Sequence, residues 1–66
     1  MNANKLKAKI IERGLNVERF ANLINMDRSS LYRKLNNSKR ITIGEAMRIK
    51  EALEMTNDEA RDIFFG

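Results

Sequence analysis

An all-α domain of five short helices is what this sequence predicts, and three observations predict it. Apolar residues recur at helical spacing: Val17, Phe20, Ala21 and Ile24 fall at i, i+3, i+4 and i+7, and Leu6/Ile10, Leu31/Leu35 and Ile49/Leu53 form i, i+4 pairs. Two T-x-x-E capping boxes, Thr42 to Glu45 and Thr56 to Glu59, mark helix starts. The chain has no proline and no alternating strand pattern of useful length, so its helices are joined by short connections. With 66 residues it is read as one domain, 1–66, and a chain this short buries only about 60% of its unfolded surface.

Residues 4–13 read as the first helix. Asn2 or Asn4 supplies its N-cap, Leu6 and Ile10 its inner face, and Gly14 a left-handed stop. Lys5, Lys7 and Lys9 spread around the outside as solvated charge, one of them available to a phosphate. Leu15 and Asn16 link to a second helix at 17–24, with Asn16 as N-cap and Glu18 at the positive end of the helix dipole. The pattern breaks at Asn25-Met26-Asp27. Asn is among the few residues that tolerate the left-handed conformation of a sharp helix exit. Asp27 then caps a third helix at 28–36, whose buried stripe is Leu31 and Leu35. Asn37-Ser38-Lys39-Arg40 is a polar loop with two adjacent cations.

The fourth helix opens on Thr42-Ile43-Gly44-Glu45, with Ile41 and Ala46 placed as a hydrophobic staple and Ala46, Ile49 and Leu53 as the inner face. The fifth repeats the device at Met55, Thr56-Asn57-Asp58-Glu59 and Ala60, and Ile63 and Phe64 continue its apolar side. Phe65, about 100° further round, cannot share that burial and is either a frayed end or a dimer contact.

The third helix carries the functional signal. Ser29 and Arg33 point nearly opposite Leu31 and Leu35, Ser30 and Asn36 sit beside them, Tyr32 and Lys34 lie on the flanks, and Arg28 is in the first turn. An apolar back and a front of hydrogen-bond donors suit phosphates and guanine edges. Two short helices joined by a tight turn, the second with that polarity, form a DNA-reading geometry. Charge agrees: residues 1–40 hold ten Lys/Arg and three Asp/Glu (net +7), whereas 41–66 hold three and six (net −3). One face suits a polyanion and the other turns away.

The stretch from Asn16 to Asn36 resembles the lambda-repressor-like helix-turn-helix family, in particular small phage repressors and Cro-type regulators. Ala21 stands where the family needs a small residue for close helix crossing, Asn25-Met26 where it has a turn glycine and a buried apolar residue, and R-S-S-L-Y-R-K-L-N where it has the recognition helix. The surrounding chain fits as well, although the all-α pattern differs from Cro relatives that end in β-strands. Three positions depart from the family. Val17 replaces a glutamine that often touches DNA, Asn25 replaces the turn glycine, and Ile10 and Leu35 stand where many relatives have an arginine–glutamate pair. An apolar contact in place of a buried ion pair is often neutral or stabilising.

This reading makes the protein a sequence-specific regulator of transcription that binds double-stranded DNA. Arg28, Ser29, Arg33, Tyr32 and Asn36 are the candidate base contacts, and Asn16, Lys34, Lys39 and Arg40 the candidate phosphate contacts. One small domain makes few base contacts, so self-association on a two-fold operator is expected. The alternative is a protein-interaction module on the same fold, an antitoxin-like subunit or an anti-repressor, working through the acidic second half. An enzyme is not expected: with no His and no Cys, a nucleophile would be Ser29, Ser30 or Ser38 without an imidazole base. The same composition removes disulfides and the usual zinc ligands, and no cofactor or small-molecule substrate is implied. RNA is a weaker partner than DNA, since Tyr32 is the only aromatic stacking candidate in the basic half. No apolar run approaches the roughly 18 residues of a membrane span, and a cytoplasmic protein without membrane contact is expected.

Overall fold

The computed structural model describes residues 1–36 and 41–65. Five helices run in order: α1 (Ala3–Glu12), α2 (Val17–Leu23), α3 (Arg28–Asn36), α4 (Ile43–Ala52) and α5 (Asn57–Phe64). Side-chain caps begin all of them. Asn2 accepts from the Lys5 N–H and Asn16 from the Arg19 N–H. The Asp27 carboxylate accepts from the Ser29 and Ser30 N–H groups at 3.0 and 3.3 Å. Thr42 and Thr56 each close a full capping box, with Glu45 and Glu59 reaching back to the cap N–H. Each cap satisfies donors that a helix start leaves free.

Three helices stop in one way. Gly14, Asn25 and Glu54 adopt positive φ values of 75°, 56° and 51°. The next residue's N–H then reaches back five positions, from Leu15 to the Ile10 carbonyl, Met26 to Ala21 and Met55 to Lys50. This is the Schellman exit. Gly14 and Asn25 are the expected left-handed residues, but Glu54 is not. What sits over it is Arg13, whose guanidinium donates to the carbonyls of Leu53 at 2.8 Å and Glu54 at 3.1 Å. A cation there meets the negative end of α4 and pairs the carbonyls that the exit frees.

Relative to the sequence expectation the boundaries shift by a residue. α1 begins at Ala3 because Asn2, not Asn4, caps it, and it ends at Glu12 with Arg13 as C-cap. α2 ends at Leu23 with Ile24 as C-cap, still buried.

Leu6, Ile10, Phe20, Ala21, Ile24, Leu31, Leu35, Ile49, Leu53, Met55 and Ile63 make one core, so every helix contributes to it or flanks it with its cap residues. Val17 is half-buried and packs on this core, a place that suits an apolar residue. Ile10 and Leu35 are both buried in it, at 1% and 2% exposure, where an ion pair would have needed desolvation.

The two ends of the chain meet through polar contacts. The Asn2 N–H donates to the Ile63 carbonyl at 2.6 Å. Lys5 pairs with Asp62, and Lys9 pairs with both Glu12 (2.8 Å) and Glu59. The Glu59 carboxyl, held first by the Lys9 ammonium and then by the Thr56 N–H, is lowered to about 2. Lys9 is raised from its ordinary value by its hydrogen bonds to Glu12 and Glu59.

The sign of the resulting pH dependence follows from these shifts. The unfolded chain takes up the Glu59 proton near 4.5, whereas the folded chain resists until about 2. The stabilisation is therefore full above about pH 5, fades as pH falls through that window, and is gone below both values. The raised Lys9 contributes below its unfolded value and loses that contribution as pH rises through the folded one. Glu59→Gln keeps a capping-box residue while removing the charge. Its thermal midpoint should lie below that of the parent at pH 7 and converge with it as pH approaches 2. Coincident midpoints at pH 7 would show that the charge on Glu59 does not stabilise the fold.

Candidate nucleic-acid interface

The interface is built on α3 because the core decides which way that helix faces. Leu31 is fully buried and Leu35 is 2% exposed. At helical pitch this turns Arg28, Ser29, Tyr32, Arg33 and Asn36 outward, at i, i+1, i+4, i+5 and i+8, and all five are exposed. Tyr32 is 46% exposed. Thus the structure brings the five residues expected at bases onto one continuous helical face. α3 itself contains no carboxylate, and Arg33 has no ion-pair partner among the described residues. Such a face presents guanidinium, hydroxyl, phenol and amide groups to a polyanion without internal competition.

Arg28 is the exception to that freedom. Its Nη1 lies 3.5 Å from a Glu18 carboxylate oxygen in the first turn of α2, with both side chains more than half exposed. A pair so exposed and so long contributes little, and it yields readily to a stronger acceptor. The sequence reading gave Glu18 only a helix-dipole role and missed this contact.

The residues expected at phosphates are dispersed. Asn16 is exposed at the start of α2, and its side-chain oxygen is taken by the Arg19 N–H at 2.8 Å. Its amide NH₂ carries two further donors. Lys34 is half-buried, and its ammonium pairs with Glu45 of α4. That contact, with the Thr42 N–H second, holds the Glu45 carboxyl below its ordinary value. Lys39 and Arg40 lie outside the described residues. Two of the α1 lysines, Lys5 and Lys9, are engaged with α5, and the C-cap residue Arg13 with the end of α4.

Sequence reasoning missed two α4 residues that support the two-helix unit. Glu45 was legible as a capping residue but not as the partner of Lys34. Arg48, one turn later, donates to the Ile24 carbonyl at 3.3 Å and so covers the end of α2. Neither pairing has a local sequence signal, because each joins separate helices.

Among the described residues no group of three or more His, Cys, Asp or Glu side chains could hold a metal ion, and no helix is long and apolar enough to cross a membrane. The grooves on the surface are open and shallow. One of them, between α1 and α5, is lined by the ion-paired side chains of Lys5, Lys9, Glu12, Glu59 and Asp62.

Comparison with known proteins agrees with this geometry. The family model of the Cro/C1-type HTH DNA-binding domain matches residues 5–61. No curated protein and no solved structure matches the chain.

Proposed function

The chain belongs to the Cro/C1-type helix-turn-helix DNA-binding domain family, and from that premise we propose that it is a sequence-specific transcriptional regulator of the phage or prophage repressor type. The observation that carries the proposal is the outer face of α3. It is a run of donors with no acidic residue, aimed away from a core that holds the opposite face. α3 enters the major groove, and Arg28, Ser29 and Arg33 read base edges with Tyr32 and Asn36 at the margins. The Asn16 amide, Lys39 and Arg40 contact phosphates and set the register. Double-stranded DNA is the partner, and the whole of 1–66 acts as one DNA-binding unit.

Binding is to a palindromic operator by two protomers, with half-site centres about 34 Å apart. The short reach of one α3 supports this, as does Phe65, which is 79% exposed beyond the end of α5. Selection of bound sites from random duplex DNA tests the reading: an enriched inverted repeat is expected, and enrichment no better than background would overturn it. Sedimentation of the complex formed on the best site should give two protomers per duplex. A one-to-one complex on every tight site would sink the dimer.

A further inference from the structure

Helix α4 touches the helix-turn-helix unit through two polar side chains one turn apart. Glu45 holds the ammonium of Lys34, in the last turn of α3. Arg48 donates to the Ile24 carbonyl at the end of α2. The Lys34–Glu45 pair is more enclosed than the other ion pair that α3 makes, Arg28 with Glu18. Its side chains are 24% and 13% exposed, against 59% and 65% for Arg28 and Glu18. Glu45 is itself fixed, because its other oxygen accepts the Thr42 N–H at 3.0 Å in the capping box. The carboxylate is therefore anchored to the start of α4, and a cation that binds it is anchored too.

We propose that Lys34 is a positioning residue for DNA reading: its ion pair with Glu45 refines the angle at which α3 stands on α4, and so the aim of the exposed base-reading face. This rests on the reading of α3 as the base-contacting helix and replaces the sequence expectation that Lys34 contacts a phosphate. The physical grounds are three. Lys34 spends its charge on an enclosed carboxylate, which a phosphate contact would have to break. Leu31 and Leu35 decide which side of α3 is buried, and the Lys34–Glu45 pair, off that stripe, ties the last turn of the helix to the start of α4. Such a tie refines the aim that the core sets, and small errors in aim matter where bidentate base contacts are made.

Two substitutions isolate the charge. Glu45→Gln keeps a residue that completes a capping box. Lys34→Met keeps the helix propensity and most of the aliphatic stem. Residual dipolar couplings of the free protein report the orientation of 28–36 against 43–52, with no DNA present. Both variants should show the same reorientation, and Lys34→Arg, which can still pair with Glu45, should restore the parent values. Unchanged couplings in both variants would overturn the inference even if α3 does read bases.

On DNA, the ratio of affinity for the best site to that for scrambled duplex should fall about five- to tenfold in each single variant, and no further in the double variant, as for two partners in one contact. The slope of log affinity against log salt should stay at the parent value. A salt slope lower by about 1 in Lys34→Met but not in Glu45→Gln would make Lys34 a phosphate contact and overturn the proposal. So would losses that multiply in the double variant. A parent protein without sequence preference would instead remove the α3 reading itself.

Discussion

Leu35→Ala should destabilise the domain by about 2–5 kcal/mol, the range for removing most of a buried leucine. Leu35 is 2% exposed in the common core, alongside Ile10 at 1%. Deleting its side chain removes apolar burial and leaves a cavity that the short helices around it fill only in part. Alanine is the better helix former, so local propensity offsets a small part of the loss and the remainder is packing. For a domain of this length, at about 0.05–0.15 kcal/mol per residue, total stability is roughly 3–10 kcal/mol, and the substitution consumes a large share of it. Urea or thermal melts followed by far-UV circular dichroism measure this directly. Ile11→Ala is the control: the residue stands beside Ile10 on the same helix but is 71% exposed. Its effect should stay within about 0.5 kcal/mol. Equal effects at positions 11 and 35 would show that burial of Leu35 in the core does not stabilise the fold.

The helices were legible because their signals are local. A cap and the N–H that donates to it lie within three residues, as at Asn16 with Arg19 and Thr42 with Glu45. The outward face of α3 was legible for a related reason. Once Leu31 and Leu35 are assigned to the core, helical pitch leaves Arg28, Ser29, Tyr32, Arg33 and Asn36 outside. What could not be read is the pairing of charges between helices. Lys5 and Asp62 are 57 positions apart, and Lys9 and Glu59 are 50 apart. A lone lysine on a helix exterior looks like solvated charge until the fold places an acid beside it. Lys34 gives the sharpest case. It sits in a basic run beside the reading face, so the sequence points it at a phosphate, but Glu45 on the next helix faces it. Glu54 shows the same limit in the backbone. Nothing in a glutamate signals positive φ, and the Arg13 guanidinium over the carbonyls of Leu53 and Glu54 comes from the far end of α1.

Arg33→Ala should weaken recognition at one or two base positions by about 1–3 kcal/mol, the discrimination of one bidentate arginine–guanine contact. The expectation comes from where the side chain stands. Arg33 is exposed on the face opposite Leu31 and Leu35, and it has no ion pair to break among the described residues. Arg28 shares the face, but its guanidinium begins near Glu18, so part of its contact with a base offsets the loss of that pair. Arg33→Ala should therefore cost more selectivity than Arg28→Ala. Lys39 and Arg40, as phosphate contacts, should behave differently. Each cation that neutralises a phosphate releases condensed counterions, so losing it lowers the salt slope by about 1 and weakens all sequences alike. Titrations at several salt concentrations, on the best site and on its single-base variants, separate the two signatures. Arg33→Ala should flatten the difference between bases at its own position and keep much of the affinity for scrambled duplex. Lys39→Ala and Arg40→Ala should keep the base preference and lose affinity throughout. If instead Arg33→Ala weakened every variant equally while Lys39→Ala changed the preferred bases, α3 would not lie in the groove as proposed, and Lys39 would belong to the reading element.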